Sequence, residues 1–185
     1  MNQIVIIGSA NIDITHKGER FPNRGETLSS DNSYISLGGK GLNQSVAASR
    51  LNKEKNVKFI GSIGNDGFGD KIKNDLLNES IDLSDLKTIN DDMTGNAIIY
   101  IDSENNNQIS VYPGANSRNG SSEVKIFTEI SESISIVMLQ QEIPIETNYK
   151  IMEIAKSKNI TTILDPGPPN NDFKNFPKYL KFVDF

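Results

Sequence analysis

Short strand-like runs, the first of them wholly apolar, alternate along this chain with segments whose apolar residues recur at helical spacing, and that rhythm constrains the fold more than anything else in the sequence. The first run, Ile4, Val5, Ile6 and Ile7, ends at Gly8. Four consecutive aliphatic residues leave a strand with no polar face, so it must be covered on both sides, as inside a parallel sheet. The spacing predicts a helix over 43–51 with Val46, Ala47 and Leu51 inward, then a strand over 57–63. After the turn Gly64, Asn65, Asp66, Gly67, an amphipathic helix is predicted over 67–79 from Phe68, Ile72, Leu76 and Leu77. Further on, the pattern predicts a helix near 122–131, a strand over 134–139, a helix near 146–157 with Ile151, Ile154 and Ala155 inward, and a strand over 161–164. Pro166, Pro168 and Pro169 then break the backbone, and 182–185 reads as the start of another strand. Strands alternating with helices wind into a right-handed, doubly wound α/β sheet, mostly parallel, with helices on both faces.

Two stretches fit poorly inside that layer. Residues 96–102 and 108–112 are strand-like and flank Asn105, Asn106 and Asn107, which tolerate the left-handed conformations of a hairpin loop. Together with 14–37 they are read as a small, discontinuous β lid over the ligand end of the sheet. The expected division is therefore a core of 1–13, 38–95 and 113–185, and a lid of 14–37 and 96–112.

Composition removes several function classes. A chain of 185 residues with 36% apolar and 23% charged residues has material for a full core. Net charge −5 and a pI near 5.0 provide no basic field for nucleic acid or an anionic membrane. With no cysteine, thiolate catalysis and disulfides are out, and a cytoplasmic setting is expected. The N-terminal apolar run is too short for a signal or a membrane span. His16 is the single histidine, which leaves no multi-histidine metal site, and it is read as an ordinary loop or lid residue.

Chemistry is concentrated in Gly38, Gly39, Lys40, Gly41, Leu42, Asn43 and Gln44, where glycines meet the start of a helix whose N–H donors face its mouth. A Walker A loop would need glycine at Tyr34 and Ser or Thr at Gly41, and a dinucleotide fingerprint would need glycines among Ser9, Ala10, Asn11 and Ile12, so neither nucleotide motif is present. Asn11 and Asp13 lie two apart, so on an extended segment they share a face. One amide and one carboxylate on that face suit a polyol, since the carboxylate accepts from hydroxyls and the amide both donates and accepts. Glu142 follows the third predicted core strand, at the end where open α/β sheets bind ligands.

These sites, with Phe21-Pro22, Arg24-Gly25-Glu26-Thr27, Gly64-Asn65-Asp66-Gly67-Phe68-Gly69, Pro113-Gly114-Ala115-Asn116 and Asp165-Pro166 in order, resemble the ribokinase branch of the carbohydrate kinases, a family that includes fructokinases and adenosine kinases. The resemblance runs from end to end of the chain but covers only the N-terminal, sugar-binding part of such an enzyme. It implies that Asn11, Asp13, Gly39, Lys40, Asn43 and Glu142 contact sugar hydroxyls, and that the lid closes over the sugar and pairs with a second lid in a homodimer. It also implies that the catalytic base, the anion hole and the sites for ATP, Mg2+ and a monovalent cation (K+) belong to a C-terminal half lying beyond these residues. The complete enzyme would phosphorylate the primary hydroxyl of D-ribose, and this chain alone would not turn over. The alternatives are a non-catalytic module that binds sugar or associates through its lid, and a kinase for deoxyribose, another sugar or a nucleoside. Two departures stand out: Asn52 where the family favours glycine at a left-handed helix cap, and an insertion at Lys53, Glu54 and Lys55.

Overall fold

The computed structural model describes residues 3–54, 56–169 and 176–185. Its main sheet is parallel throughout. Strand β1 (Gln3–Ile7) lies between β4 (Val57–Gly64) and β9 (Ile134–Leu139), with β10 (Thr161–Leu164) outside β9 and the short β5 (Ile81–Asp82) and β6 (Leu86–Ile89) both against β4. Pleat alternation divides the core in two. Val5 and Ile7 of β1, Ile60 of β4, and Val137 and Leu139 of β9 pack beneath α3 (Ser121–Ile130) and α4 (Ile145–Ser157), through Phe127, Ile151, Met152 and Ala155. Ile6, Val57, Phe59 and Ile63 face the other way, toward Leu42 of α1 (Lys40–Leu51) and Ile72 and Leu76 of α2 (Gly67–Leu76). Helices therefore cover both faces, as expected of strands with no polar side.

A second sheet stands apart from the first, in the order β3-β2-β7-β8, from β2 (Asn11–Lys17), β3 (Asn32–Gly38), β7 (Gly95–Ile101) and β8 (Asn107–Tyr112). Its outer pairs are antiparallel and its central pair, β2 with β7, is parallel. Strands β2 and β7 begin at Asn11 and Gly95, so Asn11 and Asp13 sit on the first strand of this sheet. His16 belongs to it as well, stacked on Tyr100 with ring centroids 6.0 Å apart.

Several local expectations change. Helix α1 starts at Lys40 and buries Gly41, Leu42, Ser45 and Ser49; Ala47 is exposed and Leu51 is 84% exposed. Apart from Leu42 the inward stripe is made of small residues, because α1 approaches the sheet closely and Gly41 sits directly on the backbone of Gly8 and Ser9. Helix α2 stops at Leu76, leaving Leu77 74% exposed. Asn52 ends α1 in an extended conformation (φ −84°), so the replacement of glycine there carries no left-handed strain. Lys53 and Glu54 form a turn, and Lys55 of the same insertion lies outside the described residues. Residues 183–185 are not a regular strand, yet they run along β10: Asp184 N–H donates to Thr162 O (2.9 Å) and Leu164 N–H to Phe185 O (3.0 Å).

The two sheets are joined by Asp66, which caps α2. Its carboxylate accepts from Gly69 N–H (2.8 Å), Thr94 N–H (2.8 Å) and Thr94 Oγ1 (2.7 Å), the last two on the residue just before β7. Burial pushes its pKa up, but these donors outweigh that and hold it below the ordinary aspartate value. The stabilisation is thus present above the unfolded pKa of about 3.9 and is lost as pH falls through the lowered native value. Asp66→Ala is expected to cost about 1–2 kcal/mol near neutrality, a fall of roughly 2–8 °C in melting temperature. Melts in progressively more acid buffer should show the gap to the parent closing.

Candidate functional site

The site lies at the C-terminal ends of β1 and β9, where β1 leads through Ser9 and Ala10 into the second sheet. Glu142 reaches across from the turn after β9. Its Oε2 accepts from Ser9 Oγ (2.5 Å) and from the backbone N–H of Lys40 (2.8 Å), the first residue of α1. Ser9, fully buried, also accepts from Gly41 N–H through Oγ (3.3 Å) and from Leu42 N–H through its carbonyl (3.0 Å). The first three N–H groups of α1 are therefore all engaged within the protein. The sequence suggested a helix mouth with donors open to a ligand, but here it is closed by a carboxylate that the helix dipole favours. A phosphate has no seat at this terminus, whereas Glu142 Oε1 is left for the neighbouring cleft.

Glycines make the close approach possible. Gly39 caps α1 at φ 87°, and a Cβ there would lie 2.9 Å from both Asn11 N and Ser9 O. Gly38 pairs with Asn11 across β2 and β3, and the space a Cβ would fill at Gly38 is taken by the Asp13 carboxylate. No hydrogen-bond donor holds that carboxylate among the described residues. Burial, and secondarily the negative charge of Glu142, push the Asp13 pKa above its ordinary value. Asp13 and Glu142 lie near enough for their charges to interact, and a ligand that donates hydrogen bonds suits both.

A cleft of about 470 Å³ opens beside them, lined on its polar side by Asn11, Asn116, Gln141 and Glu142 and on its apolar side by residues that include Val111 and Ile143. Of the six residues predicted to bind, Asn11 and Glu142 line this cleft directly. Asp13 shares the strand face of Asn11 and is coupled to Glu142. Gly39 lies beneath Asn11, and Lys40 bonds Glu142 through its backbone while its Nζ rests 3.2 Å from Asp165 Oδ2. Asn43 is exposed on the first turn of α1, outside the cleft lining. Sequence reasoning gave no role to Ser9 or Gln141. Ser9 is a small residue after a strand, and nothing local distinguishes it from a turn. Gln141 sits beside Glu142, only 7% exposed, with neither side-chain polar atom bonded within the protein.

The raised Asp13 pKa has a consequence in each direction. Above it, the ionised carboxylate destabilises the folded state, so Asp13→Asn is expected to raise the melting temperature at pH 7. Hydroxyl donors favour the ionised form, so affinity for a polyol should fall as pH drops through the raised value, sooner than an ordinary aspartate would dictate. Thermal melts and binding titrations over the same pH series check both signs.

Comparison with known proteins follows the same outline. The description "pfkB family carbohydrate kinase" matches residues 1–184. A ribokinase of Staphylococcus aureus is 36% identical over 168 residues, covering 90% of this chain and 55% of its own length. The solved ribokinase of Giardia lamblia superposes with a TM-score of 0.88 at 30% identity over 99% of this chain and 56% of its own. That of Arabidopsis thaliana, complexed with ribose and ATP, gives 0.78 at 31% identity over 90% and 54%. The chain thus spans little more than half the length of these relatives. On the family match and the doubly wound fold, the chain belongs to the pfkB family of carbohydrate kinases.

Proposed function

We propose that this chain is the sugar-binding portion of a ribokinase, and that the whole protein transfers the ATP γ-phosphate to the primary hydroxyl of D-ribose. The observation that supports this best is the carboxylate of Glu142 beside the Asn11 amide in one cleft, with the Asp13 carboxylate on the strand face of Asn11 and near enough to feel the charge of Glu142. Vicinal hydroxyls donate to carboxylates and accept from an amide, so a pentose matches the set in both number and polarity. Asn11, Asp13, Gly39, Lys40, Asn43 and Glu142 are the residues proposed to contact it. The second sheet is proposed as a lid that covers the sugar, formed by the segments 14–37 and 96–112 together with the starts of β2 and β7. Ile35, Ile98, Ile109, Val111 and Tyr112, each about half exposed there, are consistent with pairing to a second lid in a homodimer.

Among the described residues no three His, Asp or Glu side chains come together as a metal site. ATP, Mg2+ and K+ are proposed for the whole protein, and no chemical step is assigned to them on these residues. What the residues here can do is bind the sugar, desolvate it and orient one hydroxyl, the positioning share of phosphoryl transfer. No helix of the described residues is long and apolar enough to cross a membrane, and a cytoplasmic setting is proposed.

The test is an ADP-release assay with ATP, Mg2+ and a panel of D-ribose, 2-deoxyribose, fructose and a nucleoside, run beside a binding titration of each. The expected result is selective binding of ribose with no turnover. Turnover by this chain in the ordinary kinase range of roughly 1–100 per second would overturn the division of labour, and preferred binding of deoxyribose or the nucleoside would replace the substrate.

A further inference from the structure

Resting on the sugar-binding reading, we propose that Asn116 is a positioning residue that fixes the amide of Asn11, so that Asn11 offers the cleft a hydrogen-bond donor and never an acceptor. The argument starts at a group whose polarity is beyond choice. The backbone N–H of Ala10 can only donate, and its partner, 2.8 Å away, is Asn116 Oδ1. The other end of that amide is then Nδ2, which can only donate, and it does so to Asn11 Oδ1 at 2.7 Å and to Ala10 O at 3.3 Å. Asn11 must therefore turn its oxygen toward Asn116 and keep Nδ2 for the cleft. Asn116 is 1% exposed, so no water competes for the relay. Its backbone is held in turn by Asn119, whose Nδ2 donates to Asn116 O (3.1 Å) while its Oδ1 accepts from Ser62 Oγ (2.9 Å).

The fold clears space for this pair. A side chain at Gly95, the first residue of β7, would run into both Asn116 Nδ2 and Asn11 Oδ1. The cleft thus presents one fixed donor from Asn11 against the acceptor of Glu142, with Asp13 on the same strand face as Asn11, a pattern that selects a sugar oxygen able to accept at one position and hydroxyls that donate at the others. A freely rotating amide would accept either polarity and discriminate less.

Two measurements test this. The first is a double-mutant cycle of ribose affinity: Asn116→Ser should weaken binding about tenfold in the parent and add nothing further in an Asn11→Ala background. Equal, additive losses in both backgrounds, or no loss in the parent, would refute a role acting through Asn11. The second uses the unmutated chain and stands whether or not the variants fold. By NMR, the side-chain NH2 protons of Asn116 should be protected from exchange, while those of Asn11 exchange freely and shift when ribose is added. Protected Asn11 protons with freely exchanging Asn116 protons would reverse the relay and overturn the proposal. A chain that binds no ribose yet shows the expected protection would sink the sugar reading and leave the relay standing.

Discussion

Gly41→Ala is expected to cost about 3 kcal/mol or more of stability, a fall of roughly 6–12 °C in melting temperature. A Cβ at this position would lie 2.6 Å from Ser9 N and 2.7 Å from both Gly8 C and Ser9 O. All three are backbone atoms at the end of β1, so relief requires α1 to lift from the sheet or the strand end to bend. Either motion pulls Lys40 N–H and Ser9 Oγ away from Glu142, so stability and binding should decline together. Gly67→Ala provides the control: nothing lies within 4 Å of its Cβ, and an alanine in the first turn of α2 is expected to be neutral or mildly stabilising. Thermal melts of the two variants side by side separate close approach from generic glycine loss. Equal melting temperatures would mean that α1 does not bear on β1 as described.

Glu142→Ala is expected to weaken ribose binding about 100-fold or more. The side chain provides the cleft with a carboxylate oxygen, and its other oxygen satisfies two buried donors, Ser9 Oγ and Lys40 N–H. Losing a charged acceptor is worth about 1.5–3 kcal/mol, and orphaned donors add to that. Glu142→Gln should fall between, since its amide oxygen can still accept from both Ser9 Oγ and Lys40 N–H while its NH2 replaces the acceptor that Glu142 offers the cleft. Titration calorimetry on both variants checks the order, and retention of near-parent affinity by Glu142→Ala would remove this residue from the site.

Much of the architecture was readable because burial on both faces leaves an unmistakable mark. The run Ile4 to Ile7 and the later strands over 134–139 and 161–164 are placed where runs rich in aliphatic and β-branched residues set them. Helix α1 was harder to orient. Its sequence offers Val46, Ala47 and Leu51 as a stripe, of which Val46 packs partly buried against the core, but the fully buried residues are Gly41, Leu42, Ser45 and Ser49, three of them small because α1 lies close on the backbone after β1. Periodicity weighs hydrophobicity and has no term for approach distance. The strand character expected at 182–185 was half visible, since those residues bond β10 without settling into a regular strand.

At the site, the residues proposed to face a ligand are easier to pick out from sequence than those that hold them. Asn11, Asp13 and Glu142 announce themselves as polar groups at strand ends. Ser9 and the Asn116 relay depend on contacts across 133 and 105 positions of sequence, which no local pattern encodes. The same long-range closure explains why the start of α1, which looks from sequence like an open set of donors, is already filled by Glu142 and Ser9.

The central claim is that Asn11, Asp13 and Glu142 together form a pentose site, and calorimetric titration of this chain with D-ribose, without ATP, tests it most directly. The account predicts saturable one-to-one binding that is lost in Asp13→Ala and weakens in acid as Asp13 becomes protonated. Ribose heat that is unchanged by Asp13→Ala, or no binding by a chain that melts as a single folded unit, would contradict it.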